Sequence, residues 1–471
     1  MTASAAADAH PQPHLHRVLG RFDIVLMIVV AIVNLNTLAP LVGNGAMALW
    51  LWPLAFVFFF IPQGITVVEL SHHYPGEGGV YLWPNRLLGR IHGFLSGWCY
   101  WMANVVYVPT LIVSAVGLAF YAFGDRGIAL GGNGTLIECA SFGVLLLLVG
   151  LNIRGLAVEK WLVDLAALGT LVAGGLLVGL AGWLAVKDGG TGTSLSWRPE
   201  QLDWHLLSAF SLTCFSLLGL EIASNVGGEI REPRKTLPGA VLAGATLSGL
   251  MYVALTVAML VALPQQEIAL VQGVQQAIAK MAGRVGLGFV MPVVAAIIVL
   301  SITGAASAWL AAPARIPYVA ALDGYLPRPI GRLHPRYASP HIALLVCGAL
   351  CALALAMSFA GATLNEAYLT ILDLSVILGL VQYAYMYAAL LSLLLRRRDI
   401  KTLLNRTTLA IAGVSGLATT LLGTAFAFVP TRQVEHVWLF ELKLAGSCVL
   451  LMGIGALFFV VNSARAAAQA A

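Results

Sequence analysis

Charge is what this sequence has least of. Of 471 residues only 10% are Asp, Glu, Lys or Arg, where a soluble chain carries about 25%. So few charges cannot cover a water-facing surface, which excludes a soluble enzyme and a disordered regulator. Paired cysteine is missing as well. Cys99, Cys139, Cys214, Cys347, Cys351 and Cys448 lie in or beside apolar runs, and no Cys-x-x-Cys occurs. Neither a disulfide framework nor a thiolate metal site is indicated, and the six read as small apolar packing residues. The adjacent His72 and His73 cannot face one ion from a helix, so no metal is expected. No His-Glu-x-x-His, Gly-x-Ser-x-Gly or intramembrane pair of aspartates supplies a catalytic constellation, so the chain is not read as an enzyme. No cofactor and no nucleic-acid partner is expected. Residues 1–16 lack the short apolar core and small-residue cleavage site of a signal peptide and read as a mobile cytoplasmic tail.

What is there is apolar. Hydrophobic residues make up 59% of the chain and the mean hydropathy is +0.89. A membrane-spanning helix needs about 20 apolar residues. That criterion predicts an all-α polytopic membrane protein with twelve spans: 22–44, 46–70, 92–123, 135–152, 158–186, 204–228, 237–263, 285–311, 341–360, 366–395, 406–429 and 437–462. Of the 26 Lys and Arg, only Arg126, Lys187, Arg198, Lys280, Arg284, Arg432 and Lys443 fall at alternate ends. All others, including the run Arg396–Arg398, fall at the ends shared with both termini. The positive-inside rule therefore puts both termini in the cytoplasm. The polar segment 264–284 reads as a short helix over the outer face or as a plain connection.

Two spans are unfit for regular lipid-facing helices. The first holds Asn34, Asn36, Thr37, Pro40, Gly43, Asn44 and Gly45. The sixth holds Ser216, Gly219, Glu221, Gly227 and Gly228. Proline removes an amide donor and clashes with the preceding turn. Non-helical backbone at membrane depth survives only when buried in protein or lining a cavity. Paired interruptions in corresponding spans point to a solute site where freed amides attract anions and freed carbonyls attract cations. Two kinked structural helices would leave the same pattern.

Four stretches go further. Phe58-Phe59-Phe60-Ile61-Pro62-Gln63-Gly64-Ile65-Thr66-Val67-Val68-Glu69-Leu70 is followed by Tyr74-Pro75-Gly76-Glu77-Gly78-Gly79. Span three reads Trp101-Met102-Ala103-Asn104-Val105-Val106-Tyr107-Val108-Pro109-Thr110. Span six runs into Gly228-Glu229-Ile230-Arg231-Glu232-Pro233-Arg234-Lys235-Thr236-Leu237-Pro238, and span eight ends in Leu322-Asp323-Gly324-Tyr325-Leu326-Pro327. Together they resemble the amino acid–polyamine–organocation transporter superfamily, above all its glutamate/GABA-antiporter and polyamine-uptake branches.

The resemblance implies a five-plus-five inverted repeat with broken helices 1 and 6. Residues 17–395 would form a transport core of halves 17–186 and 204–395, and 396–471 would add accessory helices and a cytoplasmic C-terminus. It places Asn34, Asn36, Thr37, Phe215, Leu218, Glu221, Trp309, Ser375 and Tyr385 at the substrate. Tyr100, Glu221 and Asp373 become gating or coupling residues. Two departures are visible. The Gly-rich motif of span one is replaced by Val33-Asn34-Leu35, so the close backbone approach that glycine gives a carboxylate is lost. Thr170 stands where some proton-coupled members carry Lys, and Thr303 and Ser307 could offer oxygens to sodium or bond the preceding helical turn.

Ionisable groups at bilayer depth are functional candidates by default. Glu221 is the deepest: a gate element, a counter-ion to an amine, a proton carrier or a structural carboxylate. Glu69, Glu138 and Asp164 read as structural. Tyr100, Trp101, Tyr107, Phe215, Trp309, Tyr383, Tyr385 and Tyr387 offer aromatic faces that hold ammonium groups or simply pack. The expected function is secondary active transport of amino acids across the cytoplasmic (inner) membrane, with a polyamine or monoamine transporter of the same fold as the alternative. The expected partners are a small-molecule substrate, the lipid bilayer, and a proton or counter-substrate.

Overall fold

A computed structural model describes residues 15–121, 134–188, 205–263, 273–286, 289, 291–359, 364–397, 399–429 and 437–470. The expected tail 1–16 and the start of segment 264–284 fall mostly outside them. Among the described residues helices dominate and no strand forms, only isolated bridges between Leu19 and Ile230 and between Glu77 and Val226. Among the described residues nine helices are long and apolar enough to cross a membrane, and His341–Met357 is a shorter apolar one. The two other expected spans, 22–44 and 204–228, are interrupted, as their polar and breaker residues foretold.

In chain order the helices begin with α1 (Arg21–Ile32) and α2 (Leu35–Val42), then α3 (Gly45–His73). Pro53 and Pro62 cannot donate to the helical ladder, and between them α3 relaxes into a five-residue π turn, Phe56–Phe60. Next come α4 (Gly79–Leu87), α5 (Arg90–Tyr121), α6 (Gly134–Ile153) and α7 (Leu156–Asp188). The second interrupted segment gives α8 (His205–Ser216) and the single turn α9 (Ile222–Asn225). It leads to α10 (Pro233–Ala262), α11 (Gly273–Arg284), α12 (Met291–Ala311) and α13 (Arg315–Leu322). The chain ends with α14 (His341–Phe359), α15 (Leu364–Arg396), α16 (Arg406–Phe426) and α17 (Val437–Ala470).

Helices such as α6 are apolar all round, as lipid on one face and protein on the other require. Leu145 and Leu148 are buried while Leu146 and Leu147 stay more than half exposed. Small residues let the central helices close up. A Cβ on Gly304 would sit 2.1 Å from the Ala166 Cβ, and one on Gly244 would sit 2.6 Å from Ile28 Cγ2. These contacts join α12 to α7 and α10 to α1. The first interrupted segment thus runs through the middle of the molecule, against α7, α10 and α12.

Candidate functional site between the two helix breaks

The first break is built by borrowed hydroxyls. The α-helical ladder of α1 ends with Val33 N–H donating to Val29 O at 2.8 Å. Asn34 N–H then turns to Ile32 O at 2.7 Å and to the Tyr252 hydroxyl at 3.2 Å. Tyr252, on α10, donates its own hydroxyl to Ile32 O at 2.5 Å. The Trp309 indole donates to Ala31 O at 3.2 Å. Thr37 donates to Asn34 O at 3.0 Å, which opens α2. The Asn34 side-chain amide donates to the Tyr107 hydroxyl. Ala31 O, Ile32 O, Asn34 N–H and Asn34 O are thus each answered by a neutral side chain, with no charged group among their partners.

The second break is built by a glycine and a carboxylate. Gly219 adopts φ +133°, and a Cβ there would lie 2.9 Å from Ile32 Cγ1. Only glycine allows that backbone and that approach of one break to the other. Gly219 N–H donates to Glu221 Oε2 at 3.1 Å and to the Tyr383 hydroxyl at 3.2 Å. Tyr383 donates to the same carboxylate oxygen. Gln63 reaches Tyr383 at 2.7 Å and Glu221 at 3.3 Å. The carboxylate therefore ties together α3, the break and α15.

Between the breaks lies a cavity of about 30 Å³, room for about one water molecule. Its aromatic wall is Tyr100, Tyr107, Phe215 and Trp309, with Tyr107 edge-on to Phe215 at 5.4 Å and to Trp309 at 6.3 Å. Its polar lining includes Asn34, Thr37, Asn104, Gln382 and Glu221. Among the described residues no Lys or Arg lines it. Glu221 Oε1, the Tyr100 hydroxyl and both amide atoms of Gln382 are buried with no hydrogen-bond partner. Unsatisfied buried polar atoms are rare and costly, and these converge on one cavity.

The structure brings Asn34, Thr37, Tyr100, Phe215, Leu218, Glu221 and Trp309 to this cavity. The side chain of Asn36 lies outside the described ones. Three expected residues of α15 are elsewhere. Ser375 is buried one turn from the lining residue Gly379, but does not line the cavity. Tyr385 turns its ring to His92 at 5.8 Å, because two residues of helix rotate it about 200° from Tyr383. Asp373 stands ten residues, about 15 Å of helix rise, from Tyr383. In their place α15 presents Gly379, Gln382 and Tyr383.

Tyr107 and Tyr383 were legible only as members of an aromatic set. Gln63, Gln382 and Tyr252 were not singled out at all; a tyrosine inside an apolar helix needs a partner for its hydroxyl, which was the available signal for Tyr252. Glu69 accepts from His73 at 2.9 Å and from Leu403 N–H at 3.2 Å, a structural use. Thr303 donates to Val299 O at 2.7 Å, and Ser307 donates to Glu159 at 3.2 Å. The Thr303 hydroxyl is engaged within its own helix, and the Ser307 hydroxyl links α12 to α7 and, accepting from Asn152 at 3.0 Å, to α6. Among the described residues no cluster of His, Cys, Asp or Glu could hold a metal ion.

Sequence comparisons agree with this architecture. The amino acid permease family profile matches residues 19–454. An uncharacterized transporter of Legionella pneumophila is 26% identical over 454 residues, 94% of this chain and 97% of its own. A Lactococcus lactis protein named as a probable agmatine/putrescine antiporter is 25% identical over 312 residues, 65% of each chain. An uncharacterized transporter of Mycobacterium tuberculosis is 26% identical over 351 residues, 72% of this chain and 73% of its own. Helices apolar enough to cross a membrane, two facing breaks and a family match along almost the whole sequence lead to one conclusion: this chain belongs to the amino acid permease family and is a multi-pass membrane transporter, not an enzyme.

Proposed function

We propose that this transporter moves amino acids across the cytoplasmic membrane by alternating access, with the substrate held between the two helix breaks. The observation that carries the proposal is the polarity of the first break. The C-terminal carbonyls of α1 and the N-terminal amides of α2 meet at one cavity. The negative end of one helix dipole and the positive end of another thus adjoin there. A zwitterion matches that pair: its carboxylate suits the α2 end with Asn34 and Thr37, its ammonium suits the Ala31 and Ile32 carbonyls and Glu221. The aromatic wall adds cation–π attraction for the ammonium.

An amine or polyamine substrate is the second reading. It is favoured by a lining with one carboxylate and, among the described residues, no cation, and by Asn34 in place of a close backbone approach. The name of the Lactococcus relative points the same way.

In this proposal twelve crossings form two inverted halves, 17–186 and 204–395, with 396–471 accessory. Both termini are cytoplasmic, and transport is coupled to a proton or a counter-substrate. A cavity with room for about one water must enlarge to admit any such solute, so the side chains that close it, among them Phe215, Tyr107, Trp309, Glu221 and Tyr383, act as gates. The test is uptake into proteoliposomes of a panel of amino acids, GABA, agmatine, putrescine and spermidine, with Glu221→Gln as the control. Uptake of amino acids lost in the variant supports the first reading and uptake of amines alone the second. Full transport in the variant contradicts the site.

A further inference from the structure

A second set of buried charges lies beyond the transport cavity, at the end where the loops after α3 and after α9 meet α7 and α13. Arg315, 1% exposed, donates to Glu229 Oε1 from Nη2 at 2.8 Å and from Nε at 3.2 Å. Its Nη1 donates to Ala311 O at 2.5 Å. Glu229 belongs to the loop that follows the second break, so this pair fastens that loop to α13. Glu77 joins it from the loop after α3. Its Oε1 accepts from Gly228 N–H at 2.7 Å, while its buried Oε2 has no partner. Glu159, 3% exposed at the start of α7, accepts from Ser307 and adds a third carboxylate facing the same guanidinium.

Other charged and titratable groups face the set from each neighbouring element. His16 comes from the N-terminal segment, Asp164 from α7 and Tyr318 from α13. Arg154 comes from the α6–α7 turn. The N-terminal segment is itself tied in, with Val18 and Leu19 N–H donating to Glu229 O at 3.0 and 3.1 Å and Arg231 N–H donating to Leu19 O at 2.9 Å.

Two buried carboxylates, Glu159 and Glu229, and the half-buried Glu77 around one guanidinium carry an excess of negative charge when all are ionised, and like charges at close range and largely shielded from water do not all stay ionised. Burial, and then the neighbouring Glu229, pushes the Glu77 carboxyl well above its ordinary value, against the pull of Arg315. Burial likewise raises Glu229, again against Arg315.

We propose that Glu77, Glu159 and Glu229 around Arg315 form a proton-binding site that is occupied while this end of the transporter is shut and emptied when it opens. The proposal rests on the transport reading for its meaning, not for its test. With the end shut, one added proton removes the Glu77–Glu229 repulsion and leaves the Glu229–Arg315 tether intact. Opening hydrates Glu77 and Glu229, returns them toward their ordinary values and releases the proton. A carboxyl raised in the shut state binds more protons there, so falling pH favours the shut state and rising pH favours the open one.

Ser224→Cys reports on this end without any substrate. Ser224 is 3% exposed, and its Oγ would lie 2.3 Å from a Cβ on Gly79, at the base of the shut end. The variant is made in a chain whose six native cysteines are Ala. Alkylation by a water-soluble maleimide is followed from about pH 5 to about pH 8, each rate divided by that of the SDS-unfolded protein at the same pH. The expected normalised rate rises with pH, about tenfold for each unit by which the shut state raises the carboxyl.

Glu77→Gln and Glu159→Gln, each a permanent mimic of the protonated form, hold the rate near its acid value at every pH. Glu77→Asp keeps the rise. Glu229→Gln removes the tether and gives fast alkylation even at acid pH. A cooperative melt confirms folding of each variant. A rate in the unmutated cluster that does not change with pH, or a rise with pH kept in both Gln mimics of Glu77 and Glu159, overturns the proton site. A protein that transports no panel solute yet keeps the pH-dependent rate overturns the substrate assignment alone.

Discussion

The two helix breaks lie side by side, with Gly219 of one against Ile32 of the other, yet they are held by different chemistry. The first contains no charge and is stabilised by the hydroxyl of Tyr252 and the indole of Trp309, both from distant helices. The second carries its own carboxylate and closes a network through Gly219, Tyr383 and Gln63. The difference suggests a division of labour. In the proposed mechanism the neutral break offers two dipole ends to a solute without changing state, and the charged break changes its partners as ions or substrate arrive.

The largest expected effect comes from neutralising the charged break. Hydrogen bonds to a charged group contribute about 1.5–3 kcal/mol, so Glu221→Gln lowers initial uptake by about 10- to 150-fold while the protein still melts cooperatively. Wild-type uptake in that variant would erase the distinction between the breaks. Next is the neutral break. Tyr252→Phe leaves Ile32 O without its hydroxyl donor and takes one acceptor from Asn34 N–H, at a cost of about 1–3 kcal/mol. The melting temperature falls measurably whether or not substrate is present. If instead only substrate binding weakens, Tyr252 is a ligand and not a support.

Smaller still is Phe215→Ala, which removes the aromatic edge contact with Tyr107. A contact of this kind contributes about 0.5–1.5 kcal/mol, so the apparent affinity for substrate in uptake assays weakens by about two- to tenfold. Smallest is Tyr385→Phe, which changes a hydroxyl outside the cavity and shifts stability and uptake by less than about 0.5 kcal/mol. A strong loss there would support the substrate role that the resemblance implied for Tyr385.

Much of the architecture was legible because lipid imposes length. Segment 341–360 was read from apolar run length and returns as His341–Phe359. Asn34, Gly219 and Glu221 announced the breaks because polar and breaker residues are costly at that depth. The face of α15 was not legible. A helix that is apolar on every side shows no stripe to fix its rotation; the resemblance placed Ser375 and Tyr385 at the substrate, and the helix turns Gly379, Gln382 and Tyr383 to the cavity. Tyr252 was hidden for another reason: the backbone groups it satisfies lie 218 and 220 residues away along the chain. Glu77, Glu159 and Arg315 come from three different helices or loops, so their convergence exists only in the folded molecule.

The central claim is that substrate occupies the space between the breaks, and a thiol placed there tests it most directly. Ala103 lines the cavity, and Ala103→Cys in a chain whose six native cysteines are Ala can be alkylated with and without each amino acid and amine of the panel. A control chain keeps Ala103 and retains Cys139, exposed on α6, as its single thiol. The account predicts that at least one amino acid slows alkylation of the cavity thiol in a saturable way, while Cys139 reacts at an unchanged rate. Equal rates at the cavity thiol with every solute that the proteoliposomes take up would contradict it.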